Sequence, residues 1–414
     1  MTRVSTDAMN DDMRYWMGRR ETELLRAEKR ISSQNRLDEL RTDPLAAARA
    51  VKYDSFVARL ERFEENARWT ADSMRVAEGH VRSAVDVMQR VRELAVQGAH
   101  GTFAPEDMEY MAAEVDELLA ELVSLGNARG PDGEFVFAGK KVDTEPFRAV
   151  TGYAVGSASP ATVSVEYLGD AGERLAEVSQ GAYAVMNQAG SEVFWAERTQ
   201  VFATFDAAAF RVLEPSVVRV DGVDIELAPG DTVHALVAKI NGSGAAVKAS
   251  LDPERGSLAL ETTDARQLRV QDLSGQAVFA ELGVVKEGGT PPYNWAPSAR
   301  VAGGSLFDAV ISLRDSLRKG DLIETGGRVL ASVDAAMDNL NERLAELGAR
   351  AERLEQTSLR LNEEIPDVTR LLAAERDVDM AAAISDLKMM EFAREAALGV
   401  SGRVLPKTLL DFLR

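Results

Sequence analysis

The feature that most constrains the fold is a regular three/four spacing of apolar residues over positions 53–95. The residues at this spacing are Tyr53, Phe56, Leu60, Phe63, Ala67, Thr70, Met74, Ala77, Val81, Ala84, Met88, Val91 and Ala95. Thr70 is the only polar member of the series. A sustained period of about 3.5 residues is typical of a coiled-coil seam, which needs a partner helix along its whole length. The sequence therefore predicts at least one further long helix.

A second seam of matching length and period occurs near the other end of the chain. Its residues are Leu330, Val333, Met337, Leu340, Leu344, Leu347, Ala351, Leu354, Ser358, Leu361, Ile365, Val368 and Leu372. We expect the two seams to pair with each other. Pro366 lies within the second seam and is expected either to kink the helix or to end it.

A shorter helix is predicted to begin near Pro105 and to stop at Gly126. Its apolar positions are Met108, Met111, Val115, Leu118, Leu122 and Leu125. Because the link over 98–104 is short, we expect this helix to fold back antiparallel to the 53–95 helix.

Between the helical regions the sequence has strand and turn signals. We predict strands at 135–137, 162–168, 173–178, 258–262 and 268–271, a hairpin at 217–227, and a short helix capped by Asp231 with the apolar face Val233, Leu236, Val237 and Ile240. The predicted fold class is α+β, a long antiparallel coiled-coil helical rod with a β-rich domain inserted in the middle. The expected segments are 1–42 and 373–414 as terminal helices, 43–160 and 301–372 as the two halves of the rod, and 161–300 as the insertion.

The two ends of the chain have a weaker apolar pattern among many charges. The apolar positions are Met9, Met13, Trp16, Leu24, Ala27 and Ile31 at the N-terminal end, and Leu387, Met390, Ala393, Ala397, Val400 and Val404 in a helix that begins at Met380. Segments this polar bury little apolar surface alone, so we expect them to become ordered against partners. An ordinary solvated helix is the alternative interpretation of the first forty residues.

Composition excludes several functional classes. The formal net charge of −19 argues against nucleic-acid binding, which needs clustered Lys and Arg. The chain has no cysteine and three scattered histidines, His80, His100 and His234, and we found no catalytic, cofactor-binding or metal-binding motif. We therefore expect neither an enzyme nor a cofactor. The absence of a long apolar run predicts no membrane span, and the polar N-terminus predicts export, if any, without a cleavable signal peptide.

The order and spacing of several short motifs resemble the bacterial flagellin superfamily, and in particular its hook-associated members. These motifs are 4–6 (Val-Ser-Thr), 43–48 (Asp-Pro-Leu-Ala-Ala-Ala), 89–97 (Gln-Arg-Val-Arg-Glu-Leu-Ala-Val-Gln), 132–139 (Asp-Gly-Glu-Phe-Val-Phe-Ala-Gly), 144–147 (Thr-Glu-Pro-Phe), 220–222 (Val-Asp-Gly), 239–242 (Lys-Ile-Asn-Gly), 348–350 (Gly-Ala-Arg), 377–381 (Asp-Val-Asp-Met-Ala) and 409–413 (Leu-Leu-Asp-Phe-Leu). The chain departs from the superfamily at 33–37, at Asp11-Asp12 and at Pro366.

The resemblance implies a structural component of the bacterial flagellum that joins the hook to the flagellin filament. It further implies export by the flagellar type III apparatus, an external or periplasmic location, and assembly into a homo-oligomeric ring. The implied partners are a hook-side hook-associated protein, flagellin, and an export chaperone that binds the C-terminal helix. The expected assembly residues are Met9, Met13, Trp16, Ile31, Arg90, Leu94, Glu114, Leu387, Met390, Val400, Val404, Leu410, Phe412 and Leu413.

Two alternatives remain open at this stage. The chain could be flagellin itself, the bulk filament subunit, although the 134–147 pattern argues against this. It could instead be a coiled-coil binding protein unrelated to flagella. The 89–97 segment with Glu114 also resembles the surface that an innate immune receptor reads in flagellins, and an assembly surface is the simpler interpretation of it.

Overall fold

The structure, a computed structural model, describes residues 6–37, 43–101, 103–153, 160–253 and 255–404. Its contacts divide the chain into two compact units. We call residues 66–357 the central unit, and residues 1–65 together with 358–414 the terminal unit. The five-segment division expected from the sequence remains a prediction.

The secondary structure consists of long helices at both ends of the sequence and short strands between them. The helices are α1 (Thr6–Ser33), α2 (Pro44–Ala99), α3 (Pro105–Gly126), α4 (Gly190–Val193), α5 (Val233–Gly242), α6 (Val278–Glu281), α7 (Leu306–Lys319), α8 (Leu322–Glu324), a π-helical turn (Thr325–Val329), α9 (Leu330–Arg376) and α10 (Met380–Val404). The strands are β1 (Phe147–Tyr153), β2 (Pro160–Tyr167), β3 (Leu175–Ser179), β4 (Ala182–Val185), β5 (Gln200–Phe202), β6 (Ser216–Val220), β7 (Val223–Leu227), β8 (Val247–Leu251), β9 (Leu258–Thr262), β10 (Val270–Ser274) and β11 (Arg300–Ala302). This order confirms the predicted fold class.

In the central unit, α2 and α9 share one core and run antiparallel. Two ion pairs fix the direction, because Arg75 meets Glu355 and Arg92 meets Asp334, each with a nitrogen–oxygen distance of 2.6 Å. The predicted seam residues of α2 in this unit are all buried: Ala67, Thr70, Met74, Ala77, Val81, Ala84, Met88, Val91 and Ala95. The heptad spacing therefore predicted the buried face of α2 correctly.

Helix α3 folds back along α2 as predicted. It starts at Pro105, with the Asp107 carboxylate accepting a hydrogen bond from the Ala104 N–H. Its buried face comprises Met108, Met111, Ala112, Val115, Leu119 and Leu122. Helix α7 packs on α3, and the buried Arg314 of α7 donates to Asp116 of α3 across 2.9 Å.

The strands form four small antiparallel sheets. Their strand orders are β1-β2, β3-β4, β10-β6-β7 and β11-β5-β9-β8. The predicted 217–227 hairpin is β6-β7, and its two turn residues, Asp221 and Gly222, both have positive φ angles. This turn is the tight type that matches the twist of paired strands.

Some local predictions in the middle of the chain were wrong. Residues 135–137 form turns with an isolated bridge at Phe135 and not a strand, because their backbone groups bond to separate segments. The Phe135 N–H donates to the Val142 carbonyl, whereas the Val136 N–H donates to the Ala128 carbonyl. Helix α5 is capped by the Thr232 hydroxyl, whereas Asp231 accepts from the Ala228 N–H and from Lys239. The predicted strand at 268–271 lies at Val270–Ser274 instead.

The terminal unit contains the start of α2, the end of α9, and helices α1 and α10. Leu60, Leu361 and Val368 form its small buried cluster. The Glu64 carboxylate accepts a hydrogen bond of 3.0 Å from Ser358. The expectation that Pro366 could end the helix was wrong, since α9 continues to Arg376. Pro366 is exposed, so water can reach the Asn362 carbonyl that loses its helical donor.

Candidate assembly surface

Helices α1 and α10 of the terminal unit pack antiparallel on each other. A short antiparallel backbone bridge joins Asn35, just after α1, to Asp377, just before α10. The Arg36 N–H donates to the Arg376 carbonyl across 2.7 Å, and the Val378 N–H donates to the Gln34 carbonyl across 3.1 Å. These bonds place the end of α1 beside the start of α10, as expected if the two termini of the chain act together.

The face shared by α1 and α10 is only partly buried. Among the α1 positions whose burial is described, only Leu24 and Ala27 are fully buried, and from Met380 to Val400 in α10 no residue is. The predicted assembly residues Met13, Ile31, Leu387 and Met390 are half-buried on this face. The pair is therefore an incomplete bundle, since a stable helix normally buries a continuous apolar stripe.

The outer faces of α1 and α10 expose large apolar side chains. The exposed fraction is 57% for Trp16 on α1 and 74% for Phe392 on α10. Other exposed apolar residues on these two helices are Tyr15, Leu25, Ile384, Met389, Leu398 and Val400. Met17, not Trp16, follows Met13 on the inner face. Grouped exposed apolar side chains of this kind are typical of interaction sites.

The other predicted residues are distributed differently. Arg90 and Glu114 form an exposed ion pair between α2 and α3, with 2.7 Å between Nε and Oε1. The pKa of Arg90 is raised above its ordinary value, first by the hydrogen bond to Glu114 and next by the hydrogen bond to Glu93. Leu94 is buried in the core of the central unit, so in this conformation it stabilises the fold and meets no partner. Met9 and Val404 lie in α1 and α10, whereas Leu410, Phe412 and Leu413 lie outside the described residues.

The histidine and acidic side chains of the described residues are scattered. Within them, no three His, Asp or Glu side chains are grouped in a way that could hold a metal ion. His80 is half-buried, and burial lowers its pKa, while His100 and His234 are exposed. None of the described helices is both long enough and apolar enough to cross a bilayer.

Three family profiles match the chain, in the order expected for one superfamily. Residues 4–142 match the bacterial flagellin N-terminal helical region, residues 216–264 match the flagellin hook IN motif, and residues 330–413 match the bacterial flagellin C-terminal helical region. The match to the IN motif covers the segment from β6 to β9. The two helical profiles include the paired helices α2 and α9.

The chain is also similar to individual proteins. Flagellar hook-associated protein 3 of Escherichia coli is 24% identical over 218 residues, which is 51% of this chain and 67% of the relative. Flagellin A of Vibrio cholerae is 22% identical over 400 residues, which is 95% of this chain and 94% of the relative. The crystal structure of the flagellar junction protein FlgL from Legionella pneumophila aligns at 19% identity with a TM-score of 0.43, over 80% of this chain and 100% of that one.

Proposed function

The chain belongs to the bacterial flagellin family, and from this premise we propose that it is a structural protein of the flagellum that joins the hook to the flagellin filament. The observation that carries the proposal is the incomplete α1–α10 pair, whose outer faces expose Trp16 and Phe392. A protein that sits between two different assemblies needs such unsatisfied surface on a folded body. The hook-associated relative from E. coli supports the junction in preference to the filament.

We further propose that copies of the chain form a ring in the flagellar axis. The hook side of the ring would contact another hook-associated protein, and the filament side would contact flagellin. Head-to-tail contacts between identical subunits generate rings or helical tubes, and they need two different complementary surfaces on each copy. The exposed apolar faces of α1 and α10, which carry Trp16 and Phe392, offer two such surfaces. Before assembly, an export chaperone would cover α10, and the chain would leave the cell through the flagellar type III apparatus.

A second candidate function is that of flagellin itself. The specific observation in its favour is the match to Flagellin A of V. cholerae over nearly the whole chain. Subunit stoichiometry in isolated flagella separates the two functions, because a junction protein is present in a few copies per flagellum and a filament protein in thousands. An unrelated coiled-coil binding protein would be absent from isolated flagella.

The decisive experiment is deletion of the gene followed by electron microscopy. The junction function predicts hooks that lack filaments, with flagellin released into the medium. Filaments that still grow from the hooks would contradict it.

A variant test then links the function to the exposed surface. Complementation with Phe392→Asp should fail to restore filaments while the monomer keeps its melting temperature, because Phe392 is exposed in the monomer. Lys388→Ala, an exposed change in the same helix, should restore filaments. Full complementation by Phe392→Asp would show that the exposed face of α10 is not required for assembly.

A further inference from the structure

A cavity of about 250 Å³ lies in the central unit. Its walls are α2, the 130–142 loop and the β3-β4 hairpin with the residues that follow it. Cavities that hold drug-sized ligands measure about 300–1,000 Å³. This cavity is smaller than that range, and its volume suits a single long side chain.

The lining is apolar inside and aromatic at one wall. Met74, Val136 and Met186 contribute apolar surface, and Trp69 of α2 lines the same space with 41% of its surface exposed. None of the cation–π pairs among the described residues uses the Trp69 ring. Tryptophan is the side chain whose ring binds cations best, so a partly exposed Trp69 beside a cavity offers a platform for a cation.

The charges around the cavity favour a cationic occupant. The lining contains three carboxylates, those of Asp72, Asp132 and Glu134, and one guanidinium, that of Arg174. Arg174 is bound to Glu134 across 2.6 Å, and Asp72 is bound to Arg75 across 3.0 Å. The Asp132 carboxylate is exposed, accepts the Glu134 N–H across 3.0 Å, and has no cationic partner among the described residues.

We propose that this cavity binds an arginine side chain presented by another polypeptide. The guanidinium of the arginine stacks on Trp69 and donates to Asp132. Its methylene stem lies along the apolar lining residues Met74, Val136 and Met186. Arginine is preferred to lysine because its planar fork both stacks on an aromatic ring and pairs with a carboxylate. The chemistry of the site is independent of the proposed junction function, so each can fail without the other.

The test is fluorine NMR of the full chain labelled with 5-fluorotryptophan. The protein contains four tryptophans, so four resonances are expected, and the Trp69→Phe variant assigns the relevant one. The probe is the capped peptide acetyl-Gly-Arg-Gly-amide, and the matched control is the same peptide with citrulline, which has the shape of arginine without its charge. We expect a saturable shift of the Trp69 resonance with the arginine peptide and none with the citrulline peptide.

Substitutions provide the second arm of the test. Asp132→Asn should weaken binding of the arginine peptide at least fivefold, whereas Asp143→Asn, an exposed change close in sequence that does not line the cavity, should not. The proposal is overturned by an unmoved Trp69 resonance, by an equal response to citrulline or to the corresponding lysine peptide, or by unchanged affinity in Asp132→Asn.

Discussion

Arg343 of α9 and Asp264, in the loop after β9, are joined by a hydrogen bond of 2.8 Å between Nη2 and Oδ2. The same carboxylate accepts two bonds from Arg266, of 2.5 and 2.8 Å. Arg266 also reaches Asp221, at the tip of the β6-β7 hairpin, and Glu192 of α4. One carboxylate shared by two largely buried guanidiniums thus ties the β-rich part of the central unit to its longest C-terminal helix.

We predict that Asp264→Asn destabilises the central unit by about 2 kcal/mol, the usual cost of losing hydrogen bonds to charged groups. The loss leaves Arg343 and Arg266 without their shared counter-charge. Asp334→Asn is the control, because it breaks a short but exposed ion pair with Arg92, with a nitrogen–oxygen distance of 2.6 Å, which is expected to contribute under about 1 kcal/mol. Chemical denaturation measures both, and equal losses would contradict the prediction.

The same cluster predicts opposite pH dependences for its acids. Burial alone would raise the pKa of Asp264, but the hydrogen bonds and charges of Arg266 and Arg343 outweigh it and lower that pKa. A lowered pKa in the folded state gives stability that is present above the unfolded value and is lost as the pH falls through the folded value. The difference in unfolding free energy between wild type and Asp264→Asn should therefore hold from neutral pH down to about 4 and shrink below it.

Glu192 and Asp221 behave in the opposite sense. Burial raises the pKa of each, and the charge of Arg266 offsets this only in part. Because the folded state then binds these protons more tightly than the unfolded chain, ionisation at neutral pH costs stability, and acidification restores it. We expect Glu192→Gln to be most favourable relative to wild type at neutral pH, with the advantage disappearing as the pH falls through the raised pKa. A constant difference across that range would refute this.

The apolar period predicted α2 and α9 well and the buried charges not at all. The spacing of apolar residues within one helix shows which face of that helix is buried. The buried positions of Val81 and Leu347 could therefore be predicted from local spacing alone. Arg343 lies on α9 one position before Leu344, and nothing in the local pattern shows that its guanidinium is buried. Its burial depends on Asp264, 79 positions earlier in the sequence, and such a partner becomes visible only when the fold brings the two together.

The assembly surface was predictable only in part, for a related reason. The period indicated a helical N-terminal end and included Trp16 in the three/four rhythm, whereas the structure exposes Trp16 and half-buries Met17. In a stripe interrupted by Arg20, two neighbouring apolar residues fit the three/four rhythm equally well. Only the position of α10 decides which of them is covered.

Gly98 near the end of α2 packs directly against Leu317 of α7. A Cβ at Gly98 would overlap the Leu317 side chain, which is itself buried. We predict that Gly98→Ala loses about 1 kcal/mol, because overpacking outweighs the gain in helix propensity. Gly79→Ala is the matched control in the same helix. It has open space around the new methyl group and should gain up to about 1 kcal/mol. Thermal unfolding that ranks the two variants in the reverse order would contradict the packing argument.

A charge in the shared seam should be far more costly. Val81→Asp and Leu347→Asp each place an unpaired carboxylate at a fully buried position, and we expect a loss of about 3–5 kcal/mol. Ala345→Asp is the control for the second variant, since Ala345 is exposed two residues away on the same helix. Denaturation midpoints test this, and an unchanged Leu347→Asp melting curve would disprove the shared core of α2 and α9.

The terminal helices should be the least protected part of the isolated chain. Their local stability is low because α1 fully buries only Leu24 and Ala27 among the residues with described burial, whereas the 67–95 stretch of α2 buries a continuous seam. In dilute monomer we predict fast amide exchange and early proteolysis across residues 6–33 and 380–400, with strong protection across 67–95. Assembly should slow exchange at the two ends selectively, since a partner covers the faces that carry Trp16 and Phe392. Hydrogen-exchange mass spectrometry of the monomer, and of isolated hooks that carry the protein without filaments, measures both states. Slow exchange across α1 in the monomer would mean that the pair is already complete and that α1 needs no partner.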